Sequence, residues 1–172
     1  MINIIILGGG FAGIKAALTL RNKLGSYGLH VIVIDKGTSH VFTPSLYEVA
    51  TAEESPKNVL IPYKYIFKKP LEFIEGNIEK VDSKEKKILL DDNREYAYDY
   101  LICALGSETD DFGIEGIKEY SLPMKTLEDA IRIKKALKNA KKIIIDSGGI
   151  SGTELACELI TYKGHLDITL IQ

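Results

Sequence analysis

The chain opens on an almost unbroken apolar run, Ile2-Asn3-Ile4-Ile5-Ile6-Leu7, that ends on three glycines. A run so short and without alternation predicts a strand buried on both faces. Over residues 12–24 the apolar positions Ile14, Ala17, Leu18, Leu20 and Leu24 recur at roughly helical spacing, and Gly25 marks the end of that helix. His30-Val31-Ile32-Val33-Ile34-Asp35 predicts a second buried strand. Strand, glycine turn, helix and strand make a βαβ unit, whose crossover gives a parallel sheet. Residues 36–70 contain Pro44, Pro56, Pro62 and Pro70 and predict an irregular stretch with one or two short helices. Strands are predicted over 71–81, 87–90 and 96–105, with Asp91-Asp92-Asn93 as a turn that Asx side chains close locally. A helix is predicted over 127–137, with Thr126 as its N-cap and Asp129 near its amino end. A strand over 141–145, a helix running to Tyr162 and a strand over 166–172 complete a second βαβ pattern.

Composition narrows the class. The 22 basic and 24 acidic residues give a net charge of −2, which argues against a nucleic-acid or membrane-surface partner. The apolar amino terminus lacks a basic region and runs into glycines, so it predicts a strand rather than a signal peptide. No apolar run approaches the ~20 residues of a membrane helix, and the chain is expected to be soluble and cytoplasmic. Cys103 and Cys157 sit in apolar settings and are expected to be reduced core thiols. There is no CxxC pair, and His30, His40 and His165 are scattered, so no metal site is expected.

The chemistry lies in the glycines. Gly8-Gly9-Gly10-Phe11-Ala12-Gly13 matches G-x-G-x-x-G between a predicted strand and a predicted helix. Gly8 allows the tight turn, Gly10 admits a pyrophosphate to the backbone, and Gly13 lets helix and strand pack closely. The helix amino terminus adds N–H groups and a positive dipole. Asp35 ends the next strand, where an acid accepts hydrogen bonds from ribose hydroxyls. The second copy, Ser147-Gly148-Gly149-Ile150-Ser151-Gly152, has Ser in place of the first glycine, with Asp146 at the strand end. Asp146 stands where it would repel phosphates. Gln172 takes the ribose-acid position, which leaves NADH and NADPH both open. This second unit stops at its second strand, leaving an open apolar edge, and the sequence is expected to be truncated.

Two dinucleotide motifs in one chain suggest FAD and NAD(P)H held in one enzyme. The whole chain resembles type II NADH:quinone oxidoreductases of the pyridine-nucleotide flavoprotein superfamily. Besides the 8–13 loop with Asp35, residues 40–51, HVFTPSLYEVAT, resemble the family's segment beside the flavin. Residues 98–106, YDYLICALG, are similar to the strand that closes its first flavin segment, and residues 112–116, FGIEG, to the loop that follows. Residues 147–158 resemble the glycine turn of the NADH domain. Leu105 replaces a Thr of that pattern, and Glu115 a Pro.

The resemblance implies an α/β, Rossmann-like, two-dinucleotide flavoprotein fold with a β-meander insertion and a truncated second Rossmann unit. It divides the chain into an FAD-binding segment, 1–112, and an incomplete NAD(P)H-binding segment, 113–172. It implies cofactor contacts at Gly8, Gly10, Phe11, Ala12, Gly13, Asp35, Lys36, Thr43, Pro44, Ile78, Ala104 and Gly106 for FAD. For NADH or NADPH it implies Gly148, Gly149, Ile150 and Gly152, and it gives Glu154 a role in quinone protonation. The implied parent carries electrons from NADH through FAD to a quinone as a homodimer. It would meet the cytoplasmic face of a membrane through a missing carboxy-terminal part, and residues 1–172 alone are expected to be inactive. Two alternatives stand beside it: a sulfide:quinone oxidoreductase-like flavoprotein, which needs cysteines over the flavin, and a truncated, non-catalytic nucleotide-binding module.

Overall fold

The computed structural model describes residues 1–24, 28–51, 55–162 and 166–171. Gly25 and Gln172, to which the sequence assigns a helix end and a ribose contact, and His165, one of the three scattered histidines, lie outside the described residues. The chain divides into two compact units, Met1–Val41 with Ile61–Ser107 and Phe42–Leu60 with Glu108–Gln172.

In the first unit β1 (Ile2–Leu7) leads through α1 (Phe11–Arg21) to β2 (Leu29–Asp35). Two later strands, β5 (Glu72–Glu75) and β9 (Tyr100–Cys103), complete a parallel sheet in the order β5-β2-β1-β9. Alternate residues of each strand face opposite sides. Ile4, Ile6, Val31 and Val33 pack with Ala17 of α1, and Ile5, Leu7, Ile32 and Ile34 pack with Ile88 and Leu90 on the other side. Each buried Ile, Leu or Val among these contributes roughly 1.5–3 kcal/mol, so the amino-terminal strand holds its register firmly. Between them the two layers make the apolar slab that fixes the carboxyl ends of β1 and β2. Two short strands, β3 (Ser39–Val41) and β4 (Leu60–Pro62), and a helical turn, α3 (Tyr63–Ile66), occupy part of the stretch that the sequence predicts to be irregular.

The second face is covered by an antiparallel meander, β6 (Ile78–Asp82), β7 (Lys87–Leu90) and β8 (Glu95–Ala97). Two strands expected to be continuous are each broken here. The run over 71–81 divides at Gly76, whose N–H donates to the Asp35 carbonyl at 3.0 Å, so β5 stays in the parallel sheet while β6 joins the meander. The run over 96–105 divides at Tyr98 and Asp99. The Tyr98 N–H donates to Lys86 in the meander, and the next N–H, of Asp99, donates to Asn3 in β1. One peptide unit thus hands the chain from one sheet to the other. Such a switch leaves the hydrophobic pattern intact, which is why the pattern does not reveal it. The turn at residues 91–93 forms as expected: Asp92 Oδ1 accepts from the Arg94 N–H at 3.2 Å, and Asn93 takes a φ of 66°.

In the second unit β10 (Lys142–Asp146) leads through α6 (Ile150–Tyr162) to β11 (Asp167–Ile171), which pairs with it in parallel. A short helix, α4 (Ile117–Tyr120), precedes α5 (Leu127–Ala136), which carries the predicted cap in reciprocal form: the Thr126 side chain accepts from the Asp129 N–H, and Asp129 accepts from the Thr126 N–H. A further helix, α2 (Leu46–Thr51), follows a 3-10 turn at Thr43–Ser45 and packs on α5 and α6 through Leu46, Val49 and Ala50.

The expectation of two buried thiols is overturned, because Cys103 and Cys157 are both exposed. Cys103 ends β9, the outermost strand of its sheet. Cys157 lies on α6 between Leu155 and Leu159, and only Leu159 is fully buried.

Candidate functional site

At the carboxyl end of the parallel sheet the 8–13 loop takes the form that its glycines permit. Gly8 has a φ of 99°, a left-handed value that side chains avoid. Its N–H donates to the Ile34 carbonyl at 2.8 Å, and a Cβ on it would strike the Ala104 carbonyl. Gly13 is equally constrained, since a Cβ there would strike the Gly8 carbonyl. Gly10 is different. It is exposed, extended at φ −72° and ψ −172°, and a Cβ on it would meet nothing within 4 Å. It caps α1 with no side-chain hydrogen bond. The first-turn N–H groups of a helix have no intrahelical acceptor, so this loop offers an open, positively polarised cradle of the kind that binds phosphates.

Asp35 stands beside that cradle. One carboxylate oxygen, Oδ2, accepts from the Gly9 N–H at 2.6 Å, and the other, Oδ1, from the Gly37 N–H at 2.8 Å. Gly8, Gly10, Phe11, Ala12, Gly13, Asp35, Lys36, Ala104 and Gly106 therefore gather at one end of one sheet. Phe11 meets the buried His40 ring edge-on, with centroids 4.6 Å apart. Ala104 is tied to the same place by its N–H, which donates to the Leu7 carbonyl at 2.8 Å. Ile78 takes a packing position against the core, paired with Leu90.

Tyr63 is a member of this site that the sequence does not single out. It is buried beneath Gly9, and its hydroxyl lies beside the Asp35 carboxylate. Burial, and then the neighbouring Asp35 charge, push the phenol well above its ordinary value, so it remains a donor.

The second unit has its own cleft of about 430 Å³, at the start of α6. Gly148, Gly149, Ile150, Thr153, Glu154, Cys157 and Glu158 line it, with Tyr47 of α2 across from them. The sequence singles out Gly148, Gly149, Ile150 and Glu154 among these as site residues, and the structure adds Tyr47, Thr153, Cys157 and Glu158. Burial raises the Tyr47 phenol above its usual value, and the carboxylates of Glu48, Glu154 and Glu158 add to the effect. The hydroxyl is therefore a neutral donor in a cleft edged with negative charge. Gly152 repeats the contact of Gly13, because a Cβ on it would strike the Ser147 carbonyl. Serine in the first glycine position thus preserves the close approach of turn and helix. Asp146 and Ile150 are exposed, as are Thr43 and Pro44 in the turn before α2.

Among the described residues no group of His, Cys, Asp and Glu could hold a metal ion, and no helix is long and apolar enough to cross a membrane.

A family model described as pyridine nucleotide-disulphide oxidoreductase matches residues 2–172. A demethylphylloquinone reductase of Synechocystis is 33% identical over 170 residues, covering 91% of the chain and 42% of the relative. A type II NADH:quinone oxidoreductase of Staphylococcus haemolyticus is 26% identical over 171 residues, with the same 91% and 42% covered. The chain thus spans about two fifths of the length of these relatives. Among solved structures, NDH2 from Plasmodium falciparum superposes with a TM-score of 0.78 at 23% identity, covering 99% of the chain and 41% of that protein.

Proposed function

Because the chain belongs to the pyridine nucleotide-disulphide oxidoreductase family, we propose that it forms part of a flavoprotein passing electrons from NADH through FAD to a quinone. Residues 1–112 are the FAD-binding segment in this reading, and residues 113–172 begin the NAD(P)H-binding segment. The observation that carries it is the open backbone at Gly10 beside an Asp35 carboxylate held in place by two N–H groups. FAD when bound supplies the redox chemistry, which no side chain here performs. The protein's own groups bind and orient. The first turn of α1 faces the pyrophosphate, Asp35 accepts from the ribose, and Ala104 and Gly106 border the same opening. In the second unit the turn at Gly148–Ile150 would meet the nicotinamide dinucleotide, and Glu154 would hold a proton for the quinone. The named activities of the relatives support the donor and the acceptor. The whole protein would then work at a membrane surface, because a quinone dissolves in lipid, and the reading extends to a homodimer on the cytoplasmic face.

A competition titration tests the cofactor assignment. Binding through the adenosine half requires that ADP displace FAD from the chain and that FMN fail to do so. Displacement by FMN alone would overturn it.

Asp146 gives a second test. A carboxylate within about 4 Å of a phosphate costs on the order of 1 kcal/mol even in bulk water. Asp146→Asn should therefore tighten NADH and NADPH binding about fivefold, as read by calorimetry. Unchanged affinity would place Asp146 away from the phosphates.

The exposure of Cys157 in the cleft favours one further reading, a sulfide:quinone oxidoreductase-like flavoprotein that uses a thiol. The first reading needs no thiol, so replacing Cys103 and Cys157 by Ser should leave the flavin spectrum and redox behaviour unaltered. Both positions are exposed, and little stability should be lost. A charge-transfer band that vanishes with Cys157→Ser would decide for the thiol enzyme.

A further inference from the structure

In G-x-G-x-x-G the glycines with stated duties are the first, second and third of the motif, and position 9 is a permissive one. Nevertheless position 9 is glycine. Its φ is not left-handed, so the backbone does not demand it. The neighbour does: a Cβ at Gly9 would run into the Tyr63 hydroxyl and the ring carbons behind it. The Tyr63 ring cannot easily move aside. It is 3% exposed, stands 5.2 Å from the Phe67 ring and 4.8 Å from the Phe73 ring, and its own N–H donates to the Thr38 carbonyl at 2.9 Å. From there the hydroxyl reaches the carboxylate of Asp35.

We propose that Tyr63 is a positioning residue of the dinucleotide site, which holds the Asp35 carboxylate toward the adenosine ribose and makes glycine obligatory at position 9. The inference rests on the reading that the 8–13 loop and Asp35 bind the adenosine half of FAD. An ionised carboxylate has about four acceptor positions. The N–H groups of Gly9 and Gly37 fill two of them, and the Tyr63 hydroxyl beside the carboxylate is placed to take a third. About one remains. Asp35 consequently takes a single ribose hydroxyl, in a direction set by these donors, and does not chelate the 2′ and 3′ hydroxyls together.

The experiment measures dissociation constants of the chain for FAD and for its 2′-deoxyadenosine and 3′-deoxyadenosine analogues, in wild type and in Tyr63→Phe. The phenylalanine keeps the ring and its packing and removes only the donor. In wild type one analogue should bind about tenfold more weakly than FAD and the other about equally, since loss of a hydrogen bond to a charged group is worth about that factor. In Tyr63→Phe, FAD should bind about threefold to tenfold more weakly. The analogue lacking the recognised hydroxyl should show no further loss. Equal weakening of all three ligands would make Tyr63 merely structural, and tighter binding of FAD would make it a competitor for Asp35; either overturns the proposal. Failure of wild type to bind FAD, or unchanged affinity in Asp35→Ala, would overturn the site reading itself and this inference with it. The steric half is read without ligand. Gly9→Ala should lower the melting temperature in the wild-type background and much less in a Tyr63→Leu background, and equal losses in both would refute it.

Discussion

Replacing Gly10 by valine is expected to abolish FAD binding while leaving the melting temperature close to that of the unaltered chain. The two halves of this expectation come from one observation. Gly10 is exposed, its extended backbone suits a β-branched residue, and no atom lies within 4 Å of where a Cβ would stand. The fold therefore has no reason to resist the substitution. A pyrophosphate seated on the first turn of α1 does, because it must approach the backbone at that point, and two methyl groups would take the space. An affinity loss above about 100-fold is the expected size. The neighbouring glycines behave differently. Substituting Gly8 or Gly13 drives a side chain into the carbonyl of Ala104 or of Gly8, so those variants should lose the fold as well as the ligand. Calorimetric titration paired with a thermal melt separates the cases. Equal FAD affinity in the Gly10→Val and unaltered chains would remove the assignment of this loop.

The part of the fold around that loop is legible in the sequence because several local signals agree there. The apolar runs at 2–7 and 30–35 are too short for helices, glycines separate them from a helical pattern, and Ile4, Ile5, Ile6, Leu7, Val31, Ile32, Val33 and Ile34 fill the slab between α1 and the meander. The breaks at Gly76 and Tyr98 are not legible, because both sides of each break remain strand and only the partner changes. The placing of residues 42–60 with the second unit is hidden for a related reason. The contacts of α2 with α5 and α6 join parts of the chain that are distant in sequence.

The candidate site divides in the same way. Gly8, Gly10, Gly13 and Asp35 are given away by their order. Tyr63 is not, and its one signal is a glycine at a position where the motif requires none. Cys157 departs from the usual burial of cysteine because its helical position places it on the open face. Thr153, Glu154, Cys157 and Glu158 are three and four residues apart and share a face. Leu155 and Leu159 point another way, and of the two Leu159 is the fully buried one. The spacing was sufficient to place that thiol in the cleft.

Residues 1–172 by themselves are expected to retain FAD weakly and to show no turnover of NADH with a soluble quinone. A βαβ unit with an acid at the end of its second strand can hold an adenosine and a pyrophosphate, and the 8–13 loop with Asp35 has those parts. An isoalloxazine ring needs walls as well. Transfer of a hydride further requires two rings held within ~3–3.5 Å in a fixed orientation, and a loss of about 1 Å in placement costs orders of magnitude in rate. The stretch shared with this chain makes up 42% of the relatives that carry the activity, which are more than twice its length. The adenosine half-sites lie within the shared stretch, and in this reading the walls for the two rings are drawn largely from the remainder. The measurement takes the purified 172-residue chain through gel filtration, determines bound flavin after denaturation, and follows NADH oxidation with a soluble quinone present. Substoichiometric flavin and no quinone-dependent oxidation are expected, with NADH still binding weakly at the second glycine turn. Stoichiometric FAD together with turnover near the ordinary enzymatic rate of ~10 per second would show that this stretch builds both ring sites unaided, and the proposed division of labour would fall.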